Sequence, residues 1–434
     1  MSKESKVESA KRQGGHLRGT IAEQLHDGGS HFEGDDVTLL KFHGTYQQDD
    51  RDARKRRDES AEKAFAFMVR VALPAGALDA AQYLALEEVA DRWANGTLRV
   101  TTRQGFQFHG VLKRDLKATI AEVNHRLMTT LAACGDVSRN VMGCPAPVDD
   151  EVHQAVRAAA RGIAQRLRPA SKAYHEIWLD GEKQVSTEEE EEAFYGDVYL
   201  PRKFKTGVAL ATDNCVDIWS QDVGLVAIAN GRTITGFNVL VGGGLGMTHH
   251  KADTTARLAQ PLGFVTTEHA VEAVRIVASI FRDYGNRIDR RHARLKYLLA
   301  EWGMERFRAE FARRAEFPLA PPVELPSLPY HDHLGRHRQP DGRWFYGVFV
   351  QSGRITDTGG QRLKTALHEI VVRLRPGVRL TGQQNVLLTD LDDAGVKAVE
   401  ATLRAHGVTP AQELSAARRF SMACPALPTC GLAV

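Results

Sequence analysis

From Phe65 onward the chain alternates short apolar runs with segments of helical spacing. Phe65-Ala-Phe-Met-Val-Arg70-Val-Ala-Leu-Pro is apolar, rich in β-formers and ends at a proline, which predicts a strand. Residues 79–95 carry Leu84, Leu86, Val89 and Trp93 as the apolar residues of a predicted amphipathic helix. A strand over 97–111 and a helix over 116–131 follow. The same order returns downstream, with a strand at 344–351, a helix at 363–374, a strand at 378–388 and a helix at 394–406. Aligning Leu98-Arg-Val-Thr-Thr-Arg-Gln with Val378-Arg-Leu-Thr-Gly-Gln-Gln pairs Arg99 with Arg379, Thr101 with Thr381 and Gln104 with Gln384. Element order, length and these identities together predict a duplicated β-α-β unit. Chance likeness between two strand–helix units is the competing explanation.

Between the copies the pattern is α/β. Helices are predicted at 152–166 and 270–284, and strands near 205–212, 223–228 and 235–240. The acidic run Glu188–Glu192 reads as an exposed loop. Pro318, Pro321, Pro322, Pro326 and Pro329 mark a stiff linker, and His331, His333 and His337 after it read as surface histidines, a zinc site being the alternative. Residues 1–62 are polar. Their mixed-charge stretch from Asp49 to Asp58 predicts a solvated arm or, alternatively, a docking surface. The expected divisions are therefore an arm at 1–62, a first unit at 63–147, a central domain at 148–317, a linker at 318–340, a second unit at 341–410 and a tail at 411–434. The fold class is α+β.

Composition narrows the function without naming it. A chain of 434 residues, 43% hydrophobic and 26% charged, has the makings of two or three cored domains. A net charge of +3 gives no bulk argument for nucleic acid or membrane as partner. No apolar run reaches membrane-spanning length. Five sparse cysteines are no disulfide framework, so a reducing cytoplasm is expected.

The candidate chemistry lies in concentrated charge. On a continuous strand over 98–109, Leu98, Val100, Phe106 and Phe108 form one face and Arg99, Thr101, Arg103, Gln107 and His109 the other. Two guanidiniums on one strand face repel unless an anion spans them, and arginine suits bidentate carboxylates. Plain surface exposure is the alternative. The second copy keeps Arg379 but has Gln383 in place of Arg103, which suggests one anion site rather than two. Lys203 and Lys205 share a face at the start of a strand, and Arg139 follows a turn-like Cys-Gly-Asp. The loop Gly242-Gly243-Gly244 follows a strand but does not satisfy Gly-x-Gly-x-x-Gly, so the approach of its backbone to some other anionic ligand is preferred over a dinucleotide. Near the end stands Cys424-Pro-Ala-Leu-Pro-Thr-Cys430, a thiolate pair suited to one soft metal centre.

Together these segments resemble the siroheme-dependent sulfite and nitrite reductase family. The resemblance is carried by Leu17-Arg-Gly-Thr-Ile-Ala-Glu, Phe42-His-Gly-Thr-Tyr-Gln-Gln-Asp-Asp-Arg-Asp, Thr102-Arg-Gln-Gly-Phe-Gln-Phe-His-Gly, Tyr199-Leu-Pro-Arg-Lys-Phe-Lys, Asn238-Val-Leu-Val-Gly-Gly-Gly-Leu, Asn286-Arg-Ile-Asp-Arg and Ser421-Met-Ala-Cys, in order. It implies two ferredoxin-like half-domains related by a pseudo-twofold axis, plus an α/β siroheme-binding domain. The implied activity is six-electron reduction of sulfite to sulfide at a siroheme coupled to a [4Fe–4S] cluster. The implied partner is a flavoprotein carrying FAD and FMN and drawing on NADPH. Nitrite reduction on the same scaffold, or an inactive fragment that binds only tetrapyrrole or partner, are the alternatives. By the same resemblance Arg70, Arg139, Lys203 and Lys205 face the substrate. Arg99, Arg103, Gln107, His109, Gly242, Gly243, Gly244 and Arg294 surround the macrocycle, and Cys424 and Cys430 are cluster ligands. The family's second ligand pair, a later Cys-x-x-x-Cys, is not in this sequence. The expectation is therefore a truncated product or an incomplete sequence, without the second siroheme-binding lobe and unable to assemble a normal coupled centre.

Overall fold

A computed structural model describes residues 4–50, 63–169, 176–179, 182–186, 192–248, 250–325 and 327–426. Among them are three five-stranded sheets. The first runs Thr45–Asp49, Phe65–Val71, Phe106–Val111, Leu98–Val100, Arg354–Ile355. The second runs Gly335–Arg338, Trp344–Val348, Val386–Leu391, Gly377–Leu380, Ala77–Leu78. Both are antiparallel throughout. Each copy lends a short two-residue strand to the other: Arg354–Ile355 pairs with the first copy, and Ala77–Leu78 with the second. The third sheet is mixed, with the order Gln260–Val265, Thr233–Val241, Val223–Asn230, Thr206–Leu210, Met142–Gly143.

The duplication extends to single atoms. Gln104 Nε2 donates to Leu380 O at 2.9 Å, and its counterpart Gln384 donates to Val100 O at 3.2 Å. Both glutamines have left-handed backbones, with φ of 50° and 66°. Gly76 and Gly353 occupy matching crossings, with φ of 68° and 70°. A Cβ on Gly76 would lie 2.6 Å from Leu380 O, and one on Gly353 2.2 Å from Val100 O, so only glycine lets the lent strands in. The helices Ala80–Trp93 and Leu363–Leu374 pack together with Glu87 beside His368 and Asp91 beside Lys364. The first is fixed by a capping box between Asp79 and Gln82.

Three expectations change. The predicted strands over 97–111 and 378–388 are each a hairpin, because a turn stapled by a threonine interrupts them. Thr101 N donates to Gly105 O at 2.8 Å and Thr381 N to Asn385 O at 3.0 Å. Their hydroxyls accept from Gly105 N and Asn385 N. Arg99 and Arg103 therefore do not share a strand face: Arg99 is in a strand and Arg103 in a turn. Second, much of the N-terminal region is packed rather than solvated. Leu17, Phe32, Leu39 and Phe42 are buried, and Thr45–Asp49 is an edge strand. Buried Glu8 and Lys11 pair with each other, and Arg287 reaches Glu8 at 2.6 Å. Of the mixed-charge stretch, residues 51–58 lie outside the described residues, as do Glu188–Glu191 of the acidic run. Glu192 is buried and caps Tyr195 N at 3.2 Å. Third, the proline linker is docked along the central sheet. Ala320 and Phe264 exchange backbone bonds, and Asn238 clamps Val323 from both sides. Pro326 lies outside the described residues. The helical segment Leu295–Arg314, kinked at Gly303, and the strand Gln260–Val265 were not anticipated.

The two glycine classes predict different costs. Gly353→Ala combines left-handed strain with the Val100 clash and is expected to lose about 3 kcal/mol or more. Gly359→Ala, also left-handed but with open space around it, is expected to lose about 1 kcal/mol. Urea denaturation measures both, and equal losses would contradict the strand-exchange geometry.

Candidate active site: a cationic cavity where the two copies meet the central domain

A cavity of about 270 Å³ lies between the first hairpin, the central sheet and the second copy. Arg70 comes from the strand Phe65–Val71 and Arg103 from the first hairpin turn. Arg139 enters from the loop before Met142–Gly143, with Lys203 and Lys205 ahead of Thr206–Leu210. Gly382 of the second hairpin turn and Met422 of the tail close it. Five cationic side chains thus line one small space, and Asp217 is the single carboxylate among its lining residues.

Each cation is held by local structure. Arg139 is anchored through its own N–H to Phe204 O at 2.9 Å, and its guanidinium donates to Gly135 O at 3.1 and 3.2 Å. Arg103 donates to Asn140 O, Thr206 O and Gln221 Oε1, all neutral acceptors. Lys205 N donates to Asp222 Oδ2 at 2.9 Å, which sets the chain direction of both lysines. Among the described residues neither lysine ammonium is in an ion pair. Burial, then the Arg139 charge, lowers Lys203 to about 8. Burial, then Arg103, lowers Lys205 to about 7. Burial is also the main cause that lowers Arg103 to about 9. These are the signatures of crowded like charges with little water to screen them.

A second set of residues extends this charge across the first sheet. Strand register places Arg70 opposite Gln107, Gln107 opposite Arg99, and Arg99 opposite Arg354, so four polar side chains form one row on one face. With its amide oxygen toward Arg70, Gln107 accepts from that guanidinium, Nε lying at 3.0 Å. His109 is two residues along on the same face. Burial and then Arg99 hold it down to about 4, so its ring is neutral near pH 7, and its buried Nε2 has no partner. Arg99 donates to Ala423 O, which ties the tail across the end of the row and brings Cys424 close enough to act on its charge. Cys424 is exposed, and Cys430 lies outside the described residues.

The glycine loop and Arg294 sit beside the cavity rather than on its wall. Arg294 donates to buried Asp222 Oδ1 at 2.8 and 2.9 Å, so its charge is met by protein. Its Nη2 also reaches Gly243 O at 3.4 Å. Gly242 N donates to Asp222 O, and a Cβ on Gly243 would lie 2.4 Å from both Trp219 O and Gln221 O. Gly243 thus answers to backbone packing, and Gly242 and Gly244 to the Leu299 and Arg294 side chains. Sequence reasoning missed Asp222 and Gln221, which organise these cations. It also missed Tyr46 and Cys134: Arg70 Nη1 lies 2.8 Å from Cys134 Sγ, and the Tyr46 hydroxyl, close to Cys134 and Arg139, is pushed up chiefly by burial and then by Cys134. Tyr46 was visible only as a member of the long motif starting at Phe42.

The chain matches the family described as "Nitrite and sulphite reductase 4Fe-4S domain" over residues 158–319. It matches "Nitrite/Sulfite reductase ferredoxin-like half domain" over 60–126 and 336–406. It is 46% identical over 449 residues to a sulfite reductase (ferredoxin) of Synechococcus elongatus, covering 99% of this chain and 72% of that one. It is 45% identical over 434 residues to the sulfite reductase (NADPH) hemoprotein beta-component of Shouchella clausii, covering 99% and 76%. The solved NirA protein of Mycobacterium tuberculosis superposes with a TM-score of 0.78 at 26% identity, covering 98% of this chain and 73% of that one. With the half-domain matched twice, the iron–sulfur domain matched between, and the duplicated architecture observed, this chain belongs to the nitrite and sulfite reductase family.

Proposed function

We propose that the chain is the hemoprotein of a sulfite reductase, reducing sulfite to sulfide by six electrons at the cationic cavity. The observation that carries this is the convergence of Arg70, Arg139, Lys203 and Lys205, from three separated stretches, on one cavity. A small dianion offsets their mutual repulsion, and each sulfite oxygen that leaves as water takes protons with it. Lysines poised near 7 and 8 can give and regain protons at neutral pH, while guanidiniums hold charge without yielding it. Arg70 and Arg139, fixed by Gln107 and Gly135, are placed to steady charge on departing oxygen.

The row Arg70, Gln107, Arg99, Arg354 suits a flat polyanion such as siroheme, whose carboxylates need several fixed donors. The orphaned His109 Nε2 on the same face marks a place where a polar ligand group is wanted. Arg99, Arg103, Gln107 and His109 are the proposed macrocycle contacts, with the Gly242–Gly244 loop and Arg294 bordering them. Cys424 and Cys430 are the proposed cluster ligands, and Cys424 lies near Arg99 at the edge of this row. Siroheme and the cluster, when bound, would relay the donor's electrons and supply the metal that receives the substrate. The electron donor is proposed to be an FAD- and FMN-bearing flavoprotein that uses NADPH, and the chain is proposed to work in the cytoplasm. Among the described residues no helix is long and apolar enough to cross a membrane.

Two outcomes are expected. In holoenzyme assays with reduced methyl viologen, Lys203→Met and Lys205→Met each lower kcat for sulfite by about 10²–10⁴-fold. Changes under twofold, or a higher kcat/KM for nitrite than for sulfite, would overturn the assignment. Anion affinity should also fall as pH rises. Both lysines are charged below about 7, and the anion favours their charged forms, so above about 8 binding must first recruit protons. Sulfate, whose own charge is constant here, should bind about tenfold or more weaker at pH 9 than at pH 6.5 by calorimetry. A flat profile would contradict the assignment of these lysines to the anion site.

A further inference from the structure

A second constellation lies away from the cationic residues. Cys144, Asp213, Cys215 and His333 are all buried, and their ligand atoms lie within 4.8 Å of one another. From the sequence, His333 reads as a surface histidine with a zinc site as the alternative, and no cysteine is spaced to join it. The structure instead folds the linker back, so that His333, at φ of 57°, turns inward to meet the other three.

The four ligand atoms are near enough to close on one small ion, with the His333–Asp213 hydrogen bond opening by a few tenths of an ångström. Cys144 Sγ lies 3.3 Å from Asp213 Oδ2 and 4.0 Å from His333 Nε2, and His333 Nε2 lies 2.9 Å from Asp213 Oδ2. Tetrahedral ligand atoms about a zinc ion, at about 2.0–2.3 Å from the metal, stand roughly 3.3–3.8 Å apart. The span is too tight for a cluster of several metal atoms. Asp213 is also oriented from behind: its other oxygen, Oδ1, accepts from Cys215 N at 3.0 Å and His331 N at 3.3 Å, which leaves Oδ2 facing the thiols and imidazole. Two sulfurs, one imidazole and one carboxylate form a donor set suited to Zn²⁺ and poor for Mg²⁺ or Ca²⁺.

We propose that Cys144, Asp213, Cys215 and His333 form a structural zinc site that pins the inter-domain linker to the central domain. Cys144 follows Met142–Gly143 at the edge of the central sheet, Asp213 and Cys215 lie in the loop after Thr206–Leu210, and His333 precedes Gly335–Arg338 of the second copy. Gln383 Nε2 donates to Cys215 O at 2.8 Å, next to cavity-lining Gly382. The ion therefore buttresses the cavity wall formed by Met142, Val216, Asp217 and Gly382 without touching the anion. Binding Zn²⁺ displaces the thiol protons to solvent and involves no change of oxidation state.

The test is elemental analysis of the full chain purified from zinc-supplemented cells after dialysis, with Co²⁺ exchange in parallel. The expectation is about one zinc per chain. Co²⁺ should add thiolate charge-transfer and tetrahedral d–d absorption that zinc titration abolishes. Cys215→Ser and Asp213→Asn should lose the metal, while Cys424→Ser should keep it. Should the first two variants not fold, the wild-type zinc content and cobalt spectrum decide alone. Wild-type chain with neither zinc nor a cobalt spectrum, or a Cys144–Cys215 disulfide in the unreduced chain by mass spectrometry, would overturn the proposal.

Discussion

The structure depends on keeping like charges together. Arg70, Arg103, Arg139, Lys203 and Lys205 line a space of about 270 Å³ with Asp217 as the single carboxylate among the lining residues. Such crowding opposes folding unless the backbone fixes each cation against neutral or distant partners, and that is what is found. Arg103 rests on carbonyls and an amide, Arg139 on Gly135 O, and the backbone N–H of Lys205 on Asp222. The charge is held by geometry, and an anion is the proposed partner for it.

The duplicated scaffold supplies that rigidity. Each copy lends a strand to the other, Gln104 and Gln384 make reciprocal bonds across the junction, and Gly76 and Gly353 let the backbones cross. Neither copy completes its sheet without the other. The cavity sits where the first hairpin turn meets the second, so the junction that stabilises the fold also shapes the site. One copy has kept Arg103 at its turn while the other has Gln383, which turns a near-symmetric frame into a one-sided site.

Much of this was legible in the chain. Helix 363–374 and helix 270–284 fall where the apolar spacing put them, and the Arg99–Arg379 alignment located the duplication. The two hairpins were not legible as such. Apolar residues lapse over Thr101–Gly105 but resume at Phe106 and Phe108 in the phase of Leu98 and Val100, so the run reads as one strand, and the turn is set by a left-handed Gln104 that no propensity favours. The packed N-terminal region was hidden because its buried pairs, Glu8 with Lys11 and Arg287, read as ordinary polar residues until tertiary partners are known. His333 was misread for the same reason. Its partners Cys144 and Asp213 are more than a hundred residues away in sequence, beyond any spacing rule. That Arg70, Arg139, Lys203 and Lys205 share one cavity was expected from residue type and family likeness together, because lysine and arginine clusters alone do not say which of them converge.

The central claim is that the gathered cations hold a tetrahedral or pyramidal oxyanion. Selenate, a heavy-atom analogue of sulfate, tests it most directly by anomalous diffraction from soaked crystals. The account predicts a selenium peak within hydrogen-bond reach of Lys203, Lys205, Arg70 and Arg139. Selenium found only at outer surface lysines, with the cavity bare, would contradict it.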